Sequence, residues 1–170
     1  MRSNASQSSI DHSATTPQGL DSPGVRIPPP LIYALAFLIG WALQARFPLP
    51  FLSSPLALGL GVALMAAGGL LIIWSLLTLV RGHGTLNTNG ASAALVAAGP
   101  YRISRNPMYL GLVLLYGGLA CAFSVVWALL LLIPLIVYTQ LGVIAREERY
   151  LDRAFGEAYR AYQARVRRWL

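Results

Sequence analysis

Lysine is absent from this chain, cysteine occurs once, and acidic residues number six in 170. Each scarcity removes a class of explanation. A lone cysteine, Cys121, builds neither a disulfide framework nor a CxxC metal site. Two histidines and sparse carboxylates show no metal-ligand spacing. The glycines never form GxGxxG, so a cofactor-binding glycine loop has no basis here. Charged residues are 11% of the chain and hydrophobic ones 56%, against roughly 25% charged in a soluble domain. A chain this short cannot bury that much apolar surface in a water-excluded core, so the surface must face lipid. Residues 1–27 lack a basic stretch followed by an apolar one and so are not a cleavable secretory signal. Their Ser, Asp, Gln, Thr and Pro content predicts a disordered tail.

What is present is a series of apolar runs. Pro28-Pro29-Pro30 opens a span over about 30–45, since proline is tolerated in the first turn of a helix. A second span covers 56–80, and its Gly59, Gly61, Gly68 and Gly69 permit close helix packing. Asn106 to Ala145 carries no formal charge. One straight helix of that length would reach about 60 Å, twice the hydrocarbon core, so it must be two. These are predicted over 107–122 and 125–145, turning near Ala122-Phe123-Ser124, with a kink at Pro134. Beyond Ala145 the apolar residues Leu151, Phe155, Ala158, Tyr159, Tyr162, Val166 and Trp169 recur at helical spacing, which predicts amphipathic helices over 146–168 interrupted at Gly156. The expected architecture is an all-α integral membrane protein. It has about four transmembrane helices in one domain, 28–170, and an amphipathic C-terminal segment on the cytoplasmic side.

All thirteen basic residues are Arg, and the formal charge is +7. With four spans, twelve of them fall on one side and Arg46 alone on the other. That asymmetry is a topology signal before it is a nucleic-acid signal, and it makes both termini cytoplasmic. The Arg-only content points to a bacterial inner membrane.

Two polar, aromatic-bearing clusters flank the hydrophobic hairpin and should meet when it closes. At the first, Asn106 is a good N-cap and Pro107 a good first helical residue. The helix start suits a carboxylate or phosphate, with Arg102 and Arg105 adding positive charge. At the second, Glu147-Glu148 follows the last span directly. Salt bridges to Arg146 and Arg149 would explain the pair, yet Glu148 and Asp152 repel at i,i+4, and acidic residues gain nothing from the topology rule. A cationic or hydroxyl-bearing ligand is the competing explanation. His83 reads as a loop histidine and Cys121 as packing.

GPYR at 99–102, RNPMYLG at 105–111, a hydrophobic hairpin, then REERYL at 146–151 and FGEAYRAYQARVRRW at 155–169 resemble the isoprenylcysteine carboxyl methyltransferase and phospholipid methyltransferase family of integral-membrane enzymes. The resemblance implies S-adenosylmethionine as cofactor and a lipid or other membrane-accessible methyl acceptor entering from the bilayer, with no metal and no nucleic acid. It implies that Tyr101, Arg105, Asn106, Pro107, Tyr109, Gly111 and Tyr159 line the cofactor pocket, with Glu147 or Glu148 contacting the cofactor. Glu157, Tyr162 and Arg165 would close the pocket or orient the acceptor as catalytic residues. Many members carry His where this chain has Asn106, so proton transfer there is not implied. Two other readings compete: an NADPH-dependent reductase of the sterol reductase type, which shares an RxP-Y…EE…FGxxY pattern, and a non-catalytic membrane scaffold.

Overall fold

The computed structural model describes residues 28–51, 54–84 and 95–170. The tail 1–27, the side chain of His83 and residues 85–94 of the Arg81–Arg105 loop lie outside them. The elements are α1 (Pro29–Arg46), α2 (Ser54–Gly84), a 3-10 turn (Gly99–Arg102), α3 (Pro107–Ala122), α4 (Val126–Tyr138), a π-helical segment (Thr139–Ile144), α5 (Ala145–Phe155) and α6 (Glu157–Arg165). Among the described residues no strand forms beyond a single parallel bridge, Ser104 to Arg167.

Pro29 and Pro30 occupy the first positions of α1, where a missing N–H breaks no helical bond. The hairpin turns where the sequence indicates. Ser124 takes a left-handed φ of 54°, and the N–H of Val125 bonds the Ala120 carbonyl at 2.8 Å. Two helices, Pro55–Arg81 and Val126–Phe155, are long and apolar enough to cross a membrane, and Pro107–Ala122 is a shorter apolar helix. α4 runs through Pro134 without ending. The departure from α geometry comes later, as the wider π turn, which is often found at functional sites.

In space the helices lie in the order α2, α3, α4, α1. Backbone contact joins α2 to α3. A Cβ on Gly118 would stand 2.7 Å from the Gly61 carbonyl oxygen, and one on Gly68 would stand 2.6 Å from that of Gly111. Each pair is seven residues from the next on both helices, so one antiparallel register serves both. Small residues of this kind let helices approach until dispersion and packing hold them. On the far side, Tyr33 and Phe37 of α1 each set a ring edge-to-face on Tyr116 at 5.7 Å, among Ala120, Val125, Ala128 and Leu135. The hydroxyls of Ser75 and Thr78 bond back to the carbonyls of Leu71 and Trp74, so neither needs an outside partner. Large apolar side chains such as Leu38, Leu56, Leu70, Ile133 and Leu141 remain exposed around the outside.

The seam makes a paired expectation. Gly118→Ala must push backbone apart and should cost about 1–3 kcal/mol, the range for overpacking. A Cβ at Gly59 meets nothing within 4 Å. Gly59→Ala should therefore gain up to about 1 kcal/mol of helix propensity. Thermal melting of both variants in one detergent checks the sign of each.

Candidate functional site

The site forms where the 3-10 turn, the start of α3, α5 and the extended C-terminal stretch 166–169 (the C-terminal strand, joined by a single bridge) converge. Gly99 is fixed there by its left-handed φ of 54° and by Thr78, whose Oγ1 would be 2.7 Å from any added Cβ. This seats the 3-10 turn on α2 and aims the chain into α3.

The two sequence clusters do meet. Tyr109, one turn into α3, donates its hydroxyl to Glu147 Oε1 at 2.7 Å. Arg105 Nη1 lies 2.9 Å from Glu148 Oε1, with both side chains nearly buried at 13% and 12% exposure. Arg168 closes the same carboxylate from the other side, its Nε donating to Oε1 at 3.0 Å and its Nη2 to Oε2. Such a fork-on-carboxylate pair is the strong form of an ion pair. The partners of the Glu doublet are therefore not Arg146 and Arg149. Nor is Asp152 an unrelieved neighbour of Glu148, since it pairs with Arg160 at 2.9 Å.

Asn106 differs from its sequence reading. It is the residue before α3, but its side chain makes no cap. The amide Nδ2 donates instead to the Arg168 carbonyl at 3.0 Å. Ser104 Oγ accepts the Asn106 N–H at 3.1 Å, and the Arg105 N–H bonds the Arg167 carbonyl at 2.9 Å. Strand pairing has taken the amide away from the helix, so the first-turn N–H groups of α3 have no side-chain cap. The C-terminal helix also stops earlier than its apolar spacing indicates. α6 ends at Arg165 and Val166 is extended, which lays 166–169 against Ser104 and Arg105. Trp169 Nε1 then donates to Gln140 Oε1 at 2.6 Å, anchoring the strand to the π turn.

Tyr162 donates its hydroxyl to the Tyr101 carbonyl at 2.7 Å, and the Tyr159 ring lies 6.2 Å from it. Burial, with Tyr162 and Glu147 nearby, pushes the Tyr101 hydroxyl up to about 12. Burial, with Tyr159 nearby and Arg105 opposing, pushes Tyr162 up to about 12 as well. Both hydroxyls stay protonated at neutral pH, and that of Tyr162 is engaged as a donor. Glu147 lies past the apolar part of its helix, and burial raises its carboxyl above the usual range against the lowering effect of the Tyr109 hydroxyl. Arg105 Nε is buried with no hydrogen-bond partner among the described residues.

Of the residues named from sequence, Tyr101, Arg105, Asn106, Tyr109, Glu147, Glu148, Tyr159 and Tyr162 are brought to this corner. Pro107 is buried as the first residue of α3. Gly111 faces α2 instead, where its added Cβ would meet Ile72 at 2.7 Å. Glu157 and Arg165 are exposed on α6, and Arg165 Nε bonds its own helix at Ala161. Arg168 and Ser104 were not singled out by sequence. Only the RRW run hinted at Arg168, and helical spacing masked it.

A profile of the phospholipid methyltransferases matches residues 56–158. An uncharacterized protein of Haemophilus influenzae is 46% identical over 65 residues, which are 37% of this chain and the whole of that protein. No solved structure matches.

The two adjacent glutamates should respond in opposite ways. Glu148→Gln leaves Arg105 and Arg168 without their carboxylate and should cost about 2–3 kcal/mol, the scale of charged hydrogen bonds. Glu147→Gln should not. A carboxyl whose folded pKa is raised favours the folded state below its unfolded pKa, and that contribution is lost as pH rises through the folded value. Removing its charge should leave melting at pH 7 unchanged or higher, and the wild-type gain between pH 7 and pH 5 should shrink. Melting curves of both variants at the two pH values check this.

Proposed function

The chain belongs to the phospholipid methyltransferase family, and from that membership we propose that it transfers a methyl group from S-adenosylmethionine to a lipid acceptor at a membrane surface. The observation that carries this reading is the corner itself. It combines an uncapped helix start, a buried Arg105 Nε without a partner among the described residues and a Glu147 carboxyl that accepts one hydroxyl.

The residues present fit the cofactor by their chemistry. The first-turn N–H groups of α3 and Arg105 would take its carboxylate. Glu147 and the rings of Tyr101, Tyr109 and Tyr159 would suit its cationic end. When bound, S-adenosylmethionine supplies an electrophilic methyl on a sulfonium whose charge already activates the leaving group. What remains for the protein is to align donor and acceptor and exclude water. Glu148, with both oxygens committed to arginines, holds the frame. Tyr162 fixes the Tyr101 backbone. Asn106 ties the start of α3 to the C-terminal strand and moves no proton in this reading.

The membrane arrangement belongs to the same proposal. Four helices cross, α1 and α3 being the short ones, and the domain runs from 28 to 170. Both termini and the site lie on the cytoplasmic face of a bacterial inner membrane. The acceptor reaches the corner from the lipid.

Two experiments test this. Incubating purified protein with methyl-labelled S-adenosylmethionine and a membrane lipid extract should place label in a lipid. Absence of label, with NADPH bound instead, would favour a reductase. For topology, single cysteines at Ser92 and Ser124 are introduced after Cys121→Ala. An impermeant thiol reagent on intact cells should reach position 124 and not 92; the reverse pattern would invert the arrangement.

A further inference from the structure

The continuous helix Val126–Phe155 changes its character partway along. Its outward line in the apolar part is Leu130, Ile133, Val137 and Leu141, each exposed. In an uninterrupted α-helix that line would continue through Ala145, Glu148 and Asp152, at i+4, i+7 and i+11 from Leu141. The π turn Thr139–Ile144 adds one residue to the winding. One residue is about 100° of rotation. The line is therefore continued by Arg146, Arg149 and Arg153, all exposed, while Glu147 and Glu148 turn inward to Tyr109 and Arg105. One irregularity thus sorts the charges at the start of α5: the carboxylates of Glu147 and Glu148 toward the site, the guanidinium groups toward the outside.

We propose that Arg146, Arg149 and Arg153 form a binding stripe for the phosphodiester of anionic glycerophospholipids in the surrounding bilayer. The inference rests on the membrane reading of α4 given above. Leu141 is the last apolar residue on the line, so at 1.5 Å per residue Arg146 and Arg149 stand about 7–12 Å beyond it, at headgroup depth. Among the described residues no carboxylate pairs with any of the three. Glu147 and Glu148 are engaged inward, Asp152 pairs with Arg160, and Glu157 lies beyond the break at Gly156. Arg153 Nε bonds the Arg149 carbonyl, which leaves its terminal nitrogens outward. A guanidinium fork matches two oxygens of a phosphodiester. Three uncompensated charges on one line favour a lipid with net negative charge over a zwitterionic one.

The test uses the full chain in detergent and two lipid probes, dioleoyl phosphatidylglycerol and dioleoyl phosphatidylcholine, with bound lipid read by native mass spectrometry. Wild type should prefer phosphatidylglycerol at least fivefold. Arg146→Gln/Arg149→Gln should lose that preference, whereas Arg46→Gln/Arg167→Gln, which removes equal charge from other exposed positions, should keep it. Preference retained in the first variant, or lost equally in both, overturns the stripe. Equal binding of the two lipids by wild type overturns it while leaving the membrane reading standing; binding of neither removes both. The thermal midpoint of each variant is measured alongside. If the first double variant unfolds, Arg149→Gln alone should lower the preference, and an unchanged ratio there counts against the stripe.

Discussion

Two arginines meeting on one nearly buried carboxylate hold three separate pieces of the chain together. Glu148 belongs to α5, Arg105 to the approach to α3, and Arg168 to the C-terminal strand. Neither Glu148 nor Arg105 could sit at this depth alone, because an unpaired ion out of water costs several kcal/mol; Arg168 is more exposed and completes the pairing. Their mutual dependence fixes the distance between the helix start and α5. It also lets the backbone of 104–105 pair with 167–168, which draws the Asn106 amide away from its usual capping role. The features that suit a ligand follow from the clasp: the open helix start, the Arg105 Nε and the Tyr109–Glu147 contact.

The clasp stands on a frame that is rigid for a different reason. Where α2 and α3 meet, glycine faces backbone, and nothing can be added without moving a helix. Between α3, α4 and α1, aromatic edges and faces fill the interior. Packing therefore sets the helix positions, and polar groups concentrate at one end. This division suits the proposed reaction on a lipid. The helices carry apolar side chains around the outside, and the clasp gathers buried polar groups into a small corner at the helix ends.

Much of this was legible in the sequence because runs of uncharged residues and turn residues report directly on long helices. The forty-residue run from Asn106 to Ala145 had to fold back, and Ser124 with its left-handed φ marks where it does. The meeting of RNPMYLG with REERY followed from that return. Other features depend on tertiary partners and leave little local trace. Asn106 is a good cap in isolation, but its Nδ2 donates to a backbone carbonyl 62 residues away and its side chain makes no cap. Val166 and Trp169 fit a helical spacing, yet pairing with Ser104 and Gln140 extends the chain there. The π turn has no composition signature in TQLGVI. Gly111 lies in the motif but serves the seam, because its place on α3 faces Gly68.

In the proposed function S-adenosylmethionine lies at the corner of Arg105, Tyr109 and Glu147. Photo-crosslinking with an azido-adenosine analogue of S-adenosylmethionine, followed by peptide mapping, tests that placement. Adducts are expected within 101–111 or 145–169, competed away by S-adenosylhomocysteine. Competed adducts at the opposite end of the bundle, around Arg46 to Phe51 or the Ser124 turn, would contradict it.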